Sequence, residues 1–237
     1  MTLVQVQILD GRGLIWDAAE ALLLRRAHRI VGEAVGALSN LKHRSAAHGL
    51  PILLLPEEVT LALKKGWIQL HAVRLIGYQE AHVSQSDTQQ SSQDILALRD
   101  RRALRIPVNH GEPSHSVLSD RIAATWNSPV TVTDQQRFAV FQDLHHQGFY
   151  LTAGAKFGAD FLAYPGDPMG YHALYCVRVV AADARMGALQ LGAALRGAHA
   201  ARKHLVLASV HPHAGIHDDA LAQVKYVTFA PAAQFGA

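Results

Sequence analysis

Hydrophobic and polar positions along the chain fall into two patterned stretches separated by one without a pattern. Leu3, Val4, Val6, Ile8 and Leu9 predict a short strand ending at the turn signal Asp10-Gly11-Arg12-Gly13, and Leu14-Ile15-Trp16 resumes the apolar run. Asp17 stands where a helix N-cap belongs, before Ala-, Leu- and Arg-rich sequence over residues 18–29. A second apolar run, Pro51 to Leu55, leads into Pro56-Glu57-Glu58, a helix start with proline and two acids in its first turn. That helix is expected to bury Val59, Leu61, Ala62 and Leu63 and to stop at Gly66. Trp67-Ile68-Gln69-Leu70-His71-Ala72-Val73 then alternates as a strand. Residues 1–81 therefore predict a small α+β domain.

The pattern fails near residue 82. Ser84-Gln85-Ser86-Asp87-Thr88-Gln89-Gln90-Ser91-Ser92-Gln93 contains no apolar side chain and cannot contribute to a core. An arginine cluster (Arg99, Arg101, Arg102, Arg105) and a Pro/His/Ser-rich stretch follow, so residues 82–132 predict a disordered connector with at most one short helix. The arginines suit either contact with RNA or simple solvation.

Patterning returns at Thr133, which has capping-box spacing with Gln136 and opens a helix that Gly148 ends. Phe138, Phe141 and Leu144 recur on one face of that helix, while His145-His146 at its end are expected to face solvent. Strands are predicted from Phe149, over Asp160 to Tyr164, over Ala173 to Val180, over Leu205 to Ser209 and over Val224 to Phe229. A glycine-bearing connection over 154–158 and a helix over 184–202 lie between them. Residues 133–237 thus predict an α/β domain with a mixed sheet flanked by helices.

Composition narrows the class. Of 237 residues 49% are hydrophobic and 17% charged, which excludes wholesale disorder. No apolar run reaches the ~18 residues of a membrane span, and the start lacks a signal peptide's basic head and apolar stretch. One cysteine, Cys176, excludes an internal disulfide and a cysteine-based zinc site, and points to a reducing compartment. A net charge of +3 permits an anionic partner without demanding one. Fifteen histidines allow metal binding, acid–base chemistry or neither.

The segment GAKFGADFLAYPGDPMGYH, Gly154 to His172, carries the sharpest signal. Its ordered core, Lys156-Phe157-Gly158, Asp160-Phe161-Leu162, Tyr164-Pro165-Gly166-Asp167-Pro168 and then His172, resembles the catalytic subunits of tRNA-splicing endonuclease. The resemblance is to the eukaryotic subunit assigned to the 3′ splice site. It continues through Arg202-Lys203 and takes in Leu14-Ile15-Trp16 and the stretch from Leu50 to Glu58, leaving only the connector without a counterpart.

The resemblance implies a tRNA-intron-endonuclease-like C-terminal domain and a metal-independent, cofactor-free cleavage of intron-containing precursor tRNA. It assigns catalysis to Tyr164, His172 and Lys203. The adjacent ribose 2′-hydroxyl would attack the scissile phosphate, leaving 2′,3′-cyclic phosphate and 5′-hydroxyl ends. By analogy Tyr164 takes the 2′-hydroxyl proton, His172 protonates the leaving 5′-oxygen, and the Lys203 ammonium stabilises charge on the phosphoryl oxygens. No metal is required, because RNA supplies its own nucleophile. Arg196 falls at the family's first base-clamp position, flanked by Leu195, Gly197 and Ala198 rather than the usual Gly-Arg-Leu-Gly. Pro231 stands where a second clamp residue, tryptophan, is expected, with Phe229 and Phe235 the nearest aromatics.

The resemblance further implies a heterotetramer of two catalytic and two structural subunits, with the strand over Val224 to Phe229 supporting subunit pairing. The address it implies is nuclear, or alternatively the cytoplasmic face of the mitochondrial outer surface. Two other functions compete. A non-catalytic RNA-binding or assembly subunit of the same fold has no need of Tyr164, His172 and Lys203 together. A histidine-ligated hydrolase would use His211, His213 and His217, but these lie in a Pro- and Gly-bearing loop with no fixed fourth ligand.

Overall fold

The computed structural model describes residues 3–37, 48–75, 119–211 and 223–230. The described residues within 1–72 and 122–237 cluster as one compact unit. The arginine cluster of the connector lies outside the described residues.

The N-terminal strands pair as the alternation demands. β1 (Val4–Leu9) turns at Asp10-Gly11 into β2 (Arg12–Ile15), antiparallel to it, and pairs in parallel with β5 (Ile68–Leu75). β3 (Glu33–Ala37) and β4 (His48–Leu54) complete one side and β6 (Ser119–Ala123) the other, giving the order β3-β4-β2-β1-β5-β6. Nothing in the sequence pattern predicts β3, a short strand interrupted by Gly36 and bulged against β4. Helix α1 (Ala18–His28) starts where Asp17 accepts a hydrogen bond from the Glu20 backbone N–H at 2.9 Å.

Helix α2 (Pro56–Lys64) buries Val59, Leu61 and Ala62 as predicted, but Leu63 is 40% exposed. The same turn buries Glu57 and Glu58 instead. Glu58 accepts backbone N–H bonds from Val31 (2.8 Å), Gly32 (3.0 Å) and Leu55 (2.8 Å), so its carboxylate satisfies a helix start and a loop at once. Gly32 is required there. Its φ is +61°, and a Cβ would meet Ile52 at 2.4 Å.

In the C-terminal domain, α3 (Val132–His146) begins two residues before the predicted start. Thr131 and Asp134, not Thr133 and Gln136, form the capping box. The sheet runs β11-β10-β9-β8-β7, with β7 (Tyr150–Ala153), β8 (Phe161–Tyr164), β9 (Tyr175–Val180), β10 (His204–His211) and β11 (Gln223–Phe229). β9 and β10 are parallel and the other pairs antiparallel, so the sheet is mixed as predicted. A single 3-10 turn, Ala155–Phe157, closed by Gly158 at φ +67°, joins β7 to β8, and α4 (Ala188–Ala200) crosses from β9 to β10.

The two halves of the unit share one core. Val4, Val6, Ile15, Leu24 and Val59 cluster with Phe138, Phe141, Leu151, Phe161, Val177 and Val206. Trp126, read from sequence as connector, packs against this cluster, and its indole N–H donates to Thr60 at 2.9 Å. His145 is a correction: it is 7% exposed rather than solvent-facing, because its ring packs beside Phe141 and its Nε2 meets the His28 carbonyl at 2.7 Å. His146, one step round the helix, is exposed as predicted. A second, smaller cluster fills the other face of the sheet beneath α4.

Candidate active site

Strand register gathers the candidate residues at one end of the catalytic sheet. Ala163 of β8 pairs with Tyr175 of β9, and Tyr175 pairs with His204 of β10, so these three form a row across the sheet. β8 runs antiparallel to β9 and β10, so its C-terminal end lies beside their N-terminal ends. Tyr164 follows Ala163, Lys203 precedes His204, and His172 precedes β9 by three residues. All three therefore leave the sheet at the same end of its strands.

Alternation fixes which face they take. Phe161 and Ala163 enter the shared core, while Leu162, Cys176 and Leu205 point into the cluster under α4, and Tyr164 packs against that cluster. Lys203 has the parity of Leu205 and so shares the face of Tyr164. With strands ~4.8 Å apart and one strand between them, their backbones stand ~10 Å apart, within reach of a phosphate from both side chains.

Each side chain is held by its neighbours. Tyr164 is half-buried, and its phenol oxygen accepts from the Thr152 hydroxyl at 3.5 Å, the outer limit of a hydrogen bond. Lys203 is placed by the end of α4. Arg202 takes a left-handed φ of 55°, its N–H donates to the His199 carbonyl (2.9 Å), and the Lys203 N–H donates back to Ala198 (2.9 Å). The Lys203 ammonium donates to the Ala201 carbonyl at 3.1 Å and stands 5.3 Å from the centroid of the Phe157 ring. His172 is exposed, anchored by the buried Ala173 next to it. Burial pushes the Cys176 thiol up, against a smaller opposing pull from Lys203. Cys176 is therefore a packed thiol beneath the site.

Two hollows flank these residues. Tyr164 lines a cleft of about 540 Å³ with Thr152, Lys156 and Phe157 on one side and Arg12, Glu33 and Trp126 on the other. Lys203 and Arg196 line a second, of about 390 Å³, with His199, Leu205 and Phe229. Phe157 walls the first cleft and carries the Lys203 ammonium that walls the second. The structure thus places Tyr164, His172 and Lys203 at one end of the inner strands, and Arg196, Lys203 and Phe229 around one hollow. Pro231, Phe235, His213 and His217 lie outside the described residues, and His211 contacts the Ser209 hydroxyl at 3.3 Å. Among the described residues no three His, Cys, Asp or Glu side chains converge as a metal site.

The sequence reading gave no role to Asp167, although it lies inside the quoted motif. Asp167 heads the loop that carries His172, and Arg25 of α1 grips its carboxylate with Nε at 2.9 and 3.1 Å and Nη2 at 2.6 Å. The guanidinium holds this carboxyl below the usual carboxylate range, so the contact stabilises above that range and fades as the pH falls through it. No pattern links an arginine in α1 to a loop 142 residues away.

Two family descriptions match the chain. A TSEN34-like N-terminal domain covers residues 4–73, and the catalytic C-terminal domain of tRNA intron endonuclease covers residues 135–217, which include Tyr164, His172, Arg196 and Lys203. The human tRNA-splicing endonuclease subunit Sen34 is 24% identical over 87% of this chain and 94% of its own. A probable Sen34 subunit of Schizosaccharomyces pombe is 24% identical over 73% of this chain and 75% of its own. The tRNA-splicing endonuclease of Methanopyrus kandleri is 38% identical over 31% of this chain and 41% of its own. With both domains matched in order and the relatives spanning most of its length, the chain belongs to the tRNA-splicing endonuclease family as a Sen34-type subunit.

Proposed function

We propose that the chain is a catalytic subunit that cuts intron-containing precursor tRNA at the 3′ splice site by attack of the ribose 2′-hydroxyl. The observation that carries this is the emergence of Tyr164, His172 and Lys203 from one end of three neighbouring strands. Tyr164, acting as its phenolate, takes the 2′-hydroxyl proton and becomes the neutral phenol as that oxygen bonds to phosphorus. The bond from phosphorus to the 5′-oxygen breaks, and His172, charged, gives that oxygen a proton. The products are a 2′,3′-cyclic phosphate and a 5′-hydroxyl. Lys203 emerges on the same face of the sheet as Tyr164, and its ammonium offsets charge on the phosphoryl oxygens. The hollow lined by both Arg196 and Phe229 offers a nucleotide a cation and an aromatic ring.

The subunit works with a second catalytic chain and two structural chains. β11 is the sheet's outer strand, and among the described residues its free edge has no partner strand; Val227 on it is 55% exposed. That edge is where a neighbouring subunit would add.

Cleavage of an intron-bearing tRNA by the reconstituted complex, with chelator present, tests the reading. The 3′ cut should persist and give cyclic-phosphate and 5′-hydroxyl ends. His172→Ala should slow that cut by ~10²–10⁴-fold while the complex assembles and the 5′ cut continues. Wild-type cutting at both sites by that variant would sink the assignment.

A further inference from the structure

The loop between Tyr164 and Tyr175 carries His172, and most of it is exposed: Met169, Gly170, Tyr171 and His172 face solvent. Its order comes from Asp167. The Asp167 carbonyl accepts from the Gly170 N–H (2.8 Å) and the Tyr171 N–H (3.0 Å), and its carboxylate accepts from the Met169 N–H (2.8 Å). The Tyr171 ring folds back over Gly166, where a Cβ would meet it at 2.6 Å. At the base, the Leu174 N–H donates to Ala163 and its carbonyl accepts from His204, at 3.0 and 2.9 Å. These bonds make the loop a single body without fixing which way it leans.

The lean is set from outside by Arg25. Its guanidinium meets the carboxylate in a fork, a geometry that fixes direction as well as distance. The helix behind it is itself pinned. Arg29, at its C-cap, donates to the His145 carbonyl at 2.9 Å, and the His28 carbonyl meets the His145 ring at 2.7 Å. A chain of directional contacts therefore runs from α3, through α1 and Arg25, to Asp167 and the loop of His172.

We infer that Arg25 is a positioning residue, through which the N-terminal domain orients the loop over residues 165–174 and aims the imidazole of His172 at the leaving 5′-oxygen. The inference rests on the reading of His172 as the general acid. A misplacement of the order of 1 Å at a reacting group can cost ~10²-fold, so an oriented fork on the loop is a large lever.

The test compares two substrates in the reconstituted complex. One is an intron-bearing tRNA with an ordinary 3′ splice-site phosphate. The other has sulfur in place of the 5′-bridging oxygen, a leaving group that departs without being protonated. Arg25→Gln removes the fork. Asp167→Asn weakens it while leaving an oxygen for the Met169 N–H. Both should lower the single-turnover rate on the oxygen substrate by ~10–100-fold with tRNA affinity within about twofold of wild type. On the sulfur substrate both variants, like His172→Ala, should cut at near the wild-type rate. Arg25→Lys, which keeps the charge but not the fork, should stay slow on the oxygen substrate. If His172→Ala is slow and rescued by sulfur while both fork variants cut the oxygen substrate normally, the inference is wrong and the function stands. It is equally wrong if the fork variants are slow on both substrates, since Arg25 then serves folding or binding. If His172→Ala is not slow at all, the function and the inference fall together.

Discussion

Two arginine–carboxylate contacts join the N-terminal elements to the catalytic domain, and their carboxylates differ in exposure. Arg137 of α3 lies under the sheet. It donates to Glu57 of α2 at 2.9 Å, bonds Asp160 at the entrance to β8, and stacks over the Phe161 ring at 4.9 Å. Asp160 in turn accepts the Val179 N–H at 2.7 Å, and the Glu57 side chain is only 7% exposed. Arg25 reaches up to a loop, and its partner Asp167 is 36% exposed. Arg137 ties four elements around a core, and its loss leaves the buried Glu57 carboxylate without its cation. Arg25 pairs with the more exposed carboxylate and fixes the direction of a loop, and its loss lets solvent take over at Asp167. One holds the fold and the other aims the chemistry.

The comparison is broken most directly by Arg137→Ala. Stranding Glu57 and Asp160 should cost about 3 kcal/mol, the low end for a buried pair because Arg137 is itself partly exposed. For a chain of this size that lowers the melting temperature by roughly 6–10 °C. Cleavage per folded complex should hold near wild type. A variant that melts normally but cuts slowly would reverse the roles assigned to the two arginines.

Neither arginine contact was legible in the sequence, and the reason is physical. Periodicity reports which side chains are buried, and it placed β1, α2, α3 and β8 because their apolar residues recur at strand or helix spacing. It does not report which buried face meets which. Glu57 and Glu58 read as first-turn acids favourable to the helix dipole, yet both lie inside, one on Arg137 and one on three backbone N–H groups. His145 read as a surface residue because a histidine beside a helix end carries no sign of the carbonyl waiting for it. Tyr164, His172 and Lys203 were legible because the motif spacing resembles a known family. The row through Ala163, Tyr175 and His204 that brings them together depends on pairing across a crossover helix, which only the folded sheet supplies.

Glu58 offers a way to sharpen the contrast, as a buried carboxylate next to Glu57 but without a cation. Burial pushes its carboxyl up to about 7, against the pull of the backbone N–H groups of Gly32, Leu55 and Val31. In the folded chain it therefore holds a proton over a range where the unfolded chain has released it. Stability contributed by Glu58 is present below about pH 4.5 and falls as the pH rises toward 7, by up to about 3 kcal/mol. Glu58→Gln should abolish that part of the slope, read as the difference between wild-type and variant denaturant midpoints across pH 4.5–7.5. Gln keeps one oxygen for Val31 and Gly32 but turns an amide donor toward the Leu55 N–H, so the variant should start less stable at acid pH and lose less on the way up. Parallel curves for the two proteins would show that the N–H bonds keep Glu58 charged.

The smallest effect expected is on the stability of the Arg25 contact, and its smallness is what separates positioning from folding. A pair this exposed should contribute less than about 1 kcal/mol, so Arg25→Gln should melt within about 3 °C of wild type. Raising the salt from about 0.1 M to about 1 M shortens the screening length from ~10 to ~3 Å, which weakens an exposed pair far more than a buried one. The melting difference between wild type and Arg25→Gln should therefore shrink to nothing at high salt, while that of Arg137→Ala persists. If the Arg25→Gln difference were as large as that of Arg137→Ala and equally indifferent to salt, Arg25 would be a second structural pin. The slowed cleavage expected of it would then need no aiming of His172 to explain it.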